Sequence, residues 1–375
     1  MKVIHQYIKN ARIPISQISK KTGVSEKELN TIQQQETLPA YAVLRKLSKF
    51  FKIPISALLK EAEIHQEYEF LYRKSLDENL NFISLSKFQK FIANIREIKA
   101  DVSHVIPIRE VLKSAEDSLE SAEVLARDFR LIFFSEDFYS PISQLPELLS
   151  NKLGFIVKVI EAGNKADGAS ALIDGWIFLF VSPRFEGRML FTLAHELGHV
   201  LNHHHSENYF YYDKRITGNL RSTKGQQERF ANAFASALLL PPQGVALTIN
   251  KIRQIYQIPE DSPIGDIEIL YLARFYGVSF DVAANRLEQL GLIPEGGSFS
   301  MSEKIKKEYG SPEKRANSLG LPARQIPNFE ILPPFVVKKS IKLVEEGKYS
   351  IERMASLLSI PIAGLIKYRA ELGRN

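Results

Sequence analysis

The sequence predicts an α+β chain: an all-α N-terminal domain, a middle domain in which one helix packs on a small antiparallel sheet, and a helical C-terminal region. Three observations predict it. Apolar residues recur at spacings of three and four over residues 4–59 and again beyond Pro242, the period of a helix with one buried face. Between Phe155 and Val181, three short apolar runs are broken by Asp and Gly, the pattern of short strands and tight turns. Arg188 to His204 then returns to helical spacing, with Leu193, Ala194, Leu197, Val200 and Leu201 on one face. A chain of 375 residues is long for one core. The expected divisions are 1–60, 61–105, 106–245, 246–300 and 301–375.

Composition narrows the function classes. No run approaches the roughly 18 apolar residues of a membrane span, and M-K-V-I-H-Q-Y-I-K-N lacks the apolar core of a signal peptide, so a cytoplasmic protein without membrane contact is expected. The absence of cysteine excludes disulfides and thiolate ligands and leaves histidine and carboxylate to hold any metal. Residues 1–60 carry eleven Lys and Arg against three Glu, and residues 301–375 fourteen against eight acids. With a total of +6, the middle is left acidic, which fits nucleic-acid contact at one or both ends better than a basic surface throughout.

The N-terminal unit comes first. Ile13, Ile15, Ile18, Val24, Leu29 and Ile32 keep helical spacing, and Thr22-Gly23-Val24-Ser25 supplies a tight turn followed by a Ser N-cap. The segment resembles the XRE-type, lambda-repressor-like helix-turn-helix domain, with Ile15 to Lys21 as first helix and Ser25 to Gln34 as recognition helix. That resemblance implies DNA as a partner, read in the major groove by the second helix. Glu26, Lys27, Asn30, Thr31 and Gln34 are the candidates at the groove, Asn and Gln being suited to adenine edges. Glu26 and Glu28 keep open the alternative of a protein-contact or dimerisation domain. Residues 61–105 are expected to form a helical connector. Leu85, Phe88, Phe91, Ile92 and Ile95 line one face there, while Tyr68, Phe70 and Tyr72 are read as core or dimer contacts.

A helix within Ile106 to Phe134 opens the middle domain. Strands follow over Phe155 to Ile160, Ala169 to Ile173 and Trp176 to Val181, with Asp174-Gly175 a strong hairpin signal. An edge strand of such a sheet can pair with an extended peptide.

The next helix carries His195-Glu196-Leu197-Gly198-His199, the H-E-x-x-H pattern of a helix-borne zinc site. Histidines four apart project from one face and can share an ion, whereas Glu196 lies roughly 100° around the helix, beside the ion. There it can take a proton from a water whose pKa the metal has lowered to about 7. Gly198, costly in a helix by roughly 1 kcal/mol, suggests close packing or room near the ion. A catalytic site needs a third protein ligand, and the candidate is Glu228 on a second helix from about Gly225 to Leu240. Ala231, Ala233, Ala235 and Ala237 would let that helix approach the first, and Pro241-Pro242 stops it.

Arg188-x-x-Phe-Thr-Leu-Ala-His-Glu-Leu-Gly-His, followed by Glu228-x-x-Ala-Asn-x-Phe-Ala and Leu-Leu-Leu-Pro, resembles the ImmA/IrrE family of zinc metallopeptidase-like regulators. Upstream, Ala126-Arg127, Pro141-Ile142, Leu148-Leu149, Gly154 to Val157 and Asp167-Gly168 extend the similarity, which covers roughly residues 115 to 245. The resemblance implies a zincin-like domain with His195, His199 and Glu228 as metal ligands, Glu196 as general base and Asn232 in a supporting contact behind the ligands. It implies a protein substrate, a partner transcriptional regulator. A non-cleaving transcription factor that uses the same fold as a sensor or protein-binding module is the alternative, and an antitoxin-like partner a third. A His-His-Glu site also accepts manganese or other divalent ions.

Beyond the motif, His203 stands four residues after His199, but the rise of about 6 Å over four residues carries it away from an ion held by His195 and His199. A donor at a helix C-terminus is the plainer account. Tyr209 to Tyr212 reads as an aromatic lid or a source of a phenol for an oxyanion, and Arg188 as an oxyanion donor or an anchor of helix to sheet. Ala273 with Gly277-Val278-Ser279 repeats the cadence of Ser19 with Gly23-Val24-Ser25, and Ala355 with Ser359-Ile360-Pro361 follows more loosely. Packing, substrate recognition or dimerisation is expected of these later hairpins. Gly296 to Ser311 is expected to be a linker.

Overall fold

The computed structural model describes residues 4, 5, 8, 14–34, 38–51, 55–59, 82–112, 116–161, 167–203, 209–213, 216, 219, 220, 223 and 225–372. They divide into two compact units, the first built on Met1–Glu97 and the second on Ile98–Glu161, Ala166–Ser356 and Ile360–Asn375. No single helix among the described residues is long and apolar enough to cross a membrane.

In the first unit, α1 (Ile15–Thr22), α2 (Glu26–Gln34) and α3 (Tyr41–Phe51) pack Ile18, Val24, Leu29, Ile32, Leu44 and Leu47 into one core with Ile4 and Ile8. The turn after α1 needs glycine. Gly23 sits at φ 64°, the left-handed region, and its N–H returns to the Ser19 carbonyl. Ser25 then caps α2, its hydroxyl accepting from the Glu28 N–H at 3.2 Å. A further helix, α4 (Phe82–Glu97), buries Phe88, Phe91, Ile92 and Ile95, the spacing expected of its apolar face. Tyr68, Phe70 and Tyr72 lie outside the described residues.

The second unit is a mixed α+β body. Its helix α5 (Leu119–Phe133) is capped by Ser118, which accepts from the Ser121 N–H at 3.0 Å. Strands β1 (Ile156–Val159), β2 (Gly168–Ile173) and β3 (Trp176–Val181) follow, then the long helix α6 (Glu186–Asn202) and strand β4 (Tyr209–Asp213). The sheet order is β1-β3-β2-β4. Asp174 at φ 49° and Gly175 at φ 79° form the tight turn of the β2–β3 hairpin, as the Asp-Gly pair predicts.

The sheet corrects the expectation of an antiparallel one. Strand β1 pairs with β3 in parallel, Ile156 opposite Phe178, while β2 is antiparallel to both β3 and β4. The physical reason is that β3, returning from the hairpin, takes the place beside β1 that β2 would hold in a meander. The aromatic run expected as a lid is β4 itself, on the edge of the sheet.

Helix α6 packs on β2 and β3 and is covered by α7 (Gln226–Leu239), which in turn rests on α5. Gly198 lets α6 and α7 pack closely. A methyl group added there would stand 3.0 Å from the Phe234 ring and 3.3 Å from Ala231 Cα, so the packing account of this glycine holds. Two arginines, each 1% exposed, then hold the end of α7. Arg130 of α5 donates to the Leu238 carbonyl at 2.7 Å and to the carbonyls of Phe138 and Ser140. Burial lowers its guanidinium pKa to about 10, still charged at neutral pH. Arg286 donates to the Leu240 carbonyl at 3.0 Å and pairs with Glu123. Carbonyls that a helix end leaves without partners are satisfied in this way.

After Pro242 come α8 (Pro242–Tyr256), α9 (Asp266–Phe275), α10 (Phe280–Gln289) and α11 (Gly297–Tyr309). The last replaces the expected linker. Gly296, at φ 76°, serves as the N-cap, and Ser298 and Ser302 donate to Glu288 and Asp281 of α10 at 2.6 Å each. Gly-Gly-Ser therefore starts a helix anchored on its neighbour. Farther on, α12 (Pro334–Glu345) stacks Phe335 on Trp176, ring centroids 5.7 Å apart.

Candidate metal centre

Helix α6 is fixed to the sheet before it reaches the motif. Arg188, in its first turn, donates to Asp167 at 2.5 Å, and the same carboxylate accepts from the Ile216 N–H at 2.9 Å. Asp167 immediately precedes β2, so Arg188 acts as the anchor of helix to sheet, the second of its two expected roles. One step on, Gly168 lies against Glu196. A Cβ at this position would run into the Glu196 carboxylate and come within 2.6 Å of the Thr192 methyl. Only glycine lets the strand lie this close to the glutamate.

His195 and His199 are fully buried, and their Nε2 atoms face each other at 3.0 Å. Glu228, in the first turn of α7, brings its carboxylate to 3.5 Å from His195 Nε2 and 3.6 Å from His199 Nε2. The three donor atoms lie within 4.8 Å of one another, a group that can hold a metal ion.

The donors are also in the right form for an ion. Asn232, one turn after Glu228, donates its amide N–H to Thr223 Oγ1 at 3.0 Å, which turns its carbonyl oxygen toward His195 Nδ1, also at 3.0 Å. An oxygen can only accept, so His195 carries its proton on Nδ1 and presents Nε2 as a lone pair. Among the described residues, no hydrogen bond reaches the buried Oε1 of Glu228. Two imidazoles with Nε2 atoms this close, together with a carboxylate oxygen that has no donor, form a cluster of acceptors that a cation would satisfy.

The carboxylate is suited to that role. Burial alone would raise the Glu228 pKa, but the hydrogen bond and charge of His195, with His199 and His203 beyond, outweigh it and hold the carboxyl below the usual glutamate range.

Behind His199 lie two residues that sequence reasoning did not place there. His203 Nδ1 stands 2.8 Å from His199 Nδ1, and His203 Nε2 is 2.9 Å from Asp117 Oδ1. Burial, followed by the charge of His199, pushes His203 down to about 4, so its ring is neutral near pH 7. The spacing of four was a signal for His203. Asp117 carried none, because it enters from the loop before α5.

Of the other candidates, Lys27, Thr31 and Gln34 are exposed on α2 and Asn30 is half-buried. Thr31 turns its hydroxyl back to the Lys27 carbonyl at 2.9 Å.

Residues 165–288 match the model of the IrrE N-terminal-like domain, a peptidase family. The match spans both site helices and runs on through α8, α9 and α10. It supports the resemblance to ImmA/IrrE proteins for this part of the chain, whose character is metallopeptidase-like. No curated protein matches the chain.

Proposed function

We propose that the chain is a cytoplasmic DNA-binding regulator whose second unit is a zinc-dependent endopeptidase that cuts a partner transcriptional regulator. The observation carrying this reading is the convergence of His195, His199 and Glu228, donor atoms within 4.8 Å, in a domain that matches a peptidase family. His195, His199 and Glu228 would hold the ion. When bound, zinc supplies Lewis acidity that brings the pKa of a coordinated water to about 7.

The residues of the chain do the rest. Glu196 follows His195 on α6 and is fully buried, so its carboxylate is shielded from bulk water and lies against β2 at Gly168. From there it accepts the proton of the attacking water and returns it to the leaving amine of the cleaved peptide. Asn232 keeps His195 in the tautomer that leaves Nε2 for the ion. The first unit delivers the protein to DNA through α2, with Lys27 on phosphate and Asn30, Thr31 and Gln34 toward base edges, so that substrate and protease meet at the operator.

The complete burial of Glu196 favours a second reading, in which the same domain senses a metal or a protein and does not cut. One substitution separates the two. Glu196→Gln keeps zinc in either case. Coexpressed with helix-turn-helix regulators cloned from the same genome, the wild type is expected to yield a discrete cleavage product from one of them and Glu196→Gln none. Cleavage retained in Glu196→Gln would sink the peptidase assignment, and a regulatory response unchanged by it would establish the sensor.

A further inference from the structure

The three ligands of the proposed site are not supported alike. His195 is oriented by a neutral amide, while His199 leans on a second histidine that leans on a carboxylate. We infer that Asp117 and His203 form a relay that sets the tautomer and ring plane of His199, making both of them positioning residues for the metal site. The inference rests on the metal-binding reading above and extends it to residues outside the ligand set.

The donors and acceptors order themselves along the chain. The Asp117 oxygen already takes the Asn202 N–H and faces His203 Nε2 at 2.9 Å, where it accepts the N–H of that nitrogen. His203 Nδ1 and His199 Nδ1 stand 2.8 Å apart, so one must donate to the other, and an ion held at His199 Nε2 leaves the hydrogen on His199 Nδ1. With its proton on Nδ1, His199 has a lone pair at Nε2, on the side where His195 and Glu228 converge. Every hydrogen therefore points away from the ion and toward Asp117. A metal-bound histidine commonly gives its other N–H to a carboxylate. Here the carboxylate is one imidazole farther off.

The surroundings hold the relay in register. His203 directly follows the end of α6, and its N–H bonds the His199 carbonyl at 2.8 Å. Its ring meets Phe230 of α7 edge-on at 5.3 Å, which fixes the ring plane from the other helix. Asp117 is held from a second side by Asn202, which donates to the same oxygen at 2.5 Å. It is also placed just before Ser118, the cap of α5, so the relay ties three helices to one ligand.

The test reads the tautomer directly and needs no activity. In metal-free protein at neutral pH, ring 15N–1H correlations of the histidines report which nitrogen bears hydrogen. Wild type is expected to show His199 as the Nδ1–H form. His203→Phe keeps an aromatic ring against Phe230 but removes the acceptor, and is expected to shift His199 toward the Nε2–H form and to weaken zinc binding roughly 10- to 100-fold in competition with a chromogenic chelator. His203→Asn places a carbonyl oxygen near the lost Nδ1 and is expected to recover most of that affinity. It should also make the affinity indifferent to Asp117→Ala, which weakens binding in the wild-type background. A wild-type His199 in the Nε2–H form, or a His203→Phe variant that binds zinc as tightly as wild type, would overturn the relay and leave the metal site standing. A wild type that binds no zinc would remove the metal site and the relay together.

Discussion

Two hairpins in this chain share one sequence cadence and end in opposite environments. In α1–α2 and in α9–α10, a small residue, Ser19 or Ala273, stands four before a glycine. The glycines adopt φ 64° at Gly23 and 72° at Gly277. A buried valine follows, then a serine whose hydroxyl accepts from an N–H of the next helix, at 3.2 Å for Ser25 and 3.3 Å for Ser279. Beyond that point they part. Helix α2 leaves Glu26, Lys27, Thr31 and Gln34 exposed, whereas α10 buries Phe280, Val282, Ala283, Ala284, Arg286 and Leu287.

The turn of the second hairpin is closed off as well. A Cβ on Gly187, in the first turn of α6, would lie 2.7 Å from the Val278 carbonyl carbon, and Arg324 reaches in to donate to the Ala273 carbonyl. The cadence thus encodes a way of turning between helices. The residues on the second helix decide whether the result is an exposed face or a wall of a core.

Exchanging matched positions breaks the comparison most sharply. Phe280 and Glu26 both follow the capping serine. Phe280→Glu would place an unpaired charge in the core and is expected to destabilise the second unit by roughly 3 to 5 kcal/mol in denaturant titrations, whereas Glu26→Ala should stay within about 0.5 kcal/mol. Equal costs at the two sites would show that α2 is as enclosed as α10.

A smaller effect sharpens the functional side. On a duplex selected from a random pool, Asn30→Ala or Gln34→Ala is expected to cost about 1 to 3 kcal/mol of binding without loss of stability. Lys27→Ala should instead flatten the salt dependence of log affinity by about 0.9. Indifference of DNA binding to all three changes would turn α2 into a protein-contact surface.

The smallest differences test the shared turn itself. Gly277→Ala meets Leu190 at 3.5 Å in addition to the left-handed backbone, while Gly23→Ala has only the far end of Lys46 near it, at 3.9 Å. Both are ordinary van der Waals separations, so thermal unfolding should register a similar loss of about 1 kcal/mol for Gly23→Ala and Gly277→Ala, set by the left-handed backbone. Ser25→Ala and Ser279→Ala should cost about 1 kcal/mol each, alike because the caps are alike.

The features that were readable from sequence are those set by neighbours a few residues away. The four-residue spacing of His195 and His199, the small residues on α7, the Asp174-Gly175 turn and the buried face of α4 are all local patterns with one geometric outcome. Glu228 is a candidate from sequence because a catalytic ion needs a third protein ligand and the alanines of its helix allow tight packing on the motif helix. What stayed hidden depends on the distant chain. The parallel pairing of β1 with β3 is a choice of neighbour that strand composition does not encode. Gly296-Gly297-Ser298 looks like a break until Glu288 and Asp281 of α10 are there to receive Ser298 and Ser302. Asp117 is an ordinary loop carboxylate until folding sets it behind His203, and Arg130 and Arg286 are ordinary charges until they close the end of α7.

The most direct test of the account is the metal content of the purified full chain, wild type beside His195→Ala and Glu228→Ala, after incubation with zinc and removal of the excess. About one zinc per wild-type chain, lost or sharply reduced in both variants, is the predicted result. A wild type without bound metal, or variants that retain it in full, would contradict the convergence of His195, His199 and Glu228 on a single ion.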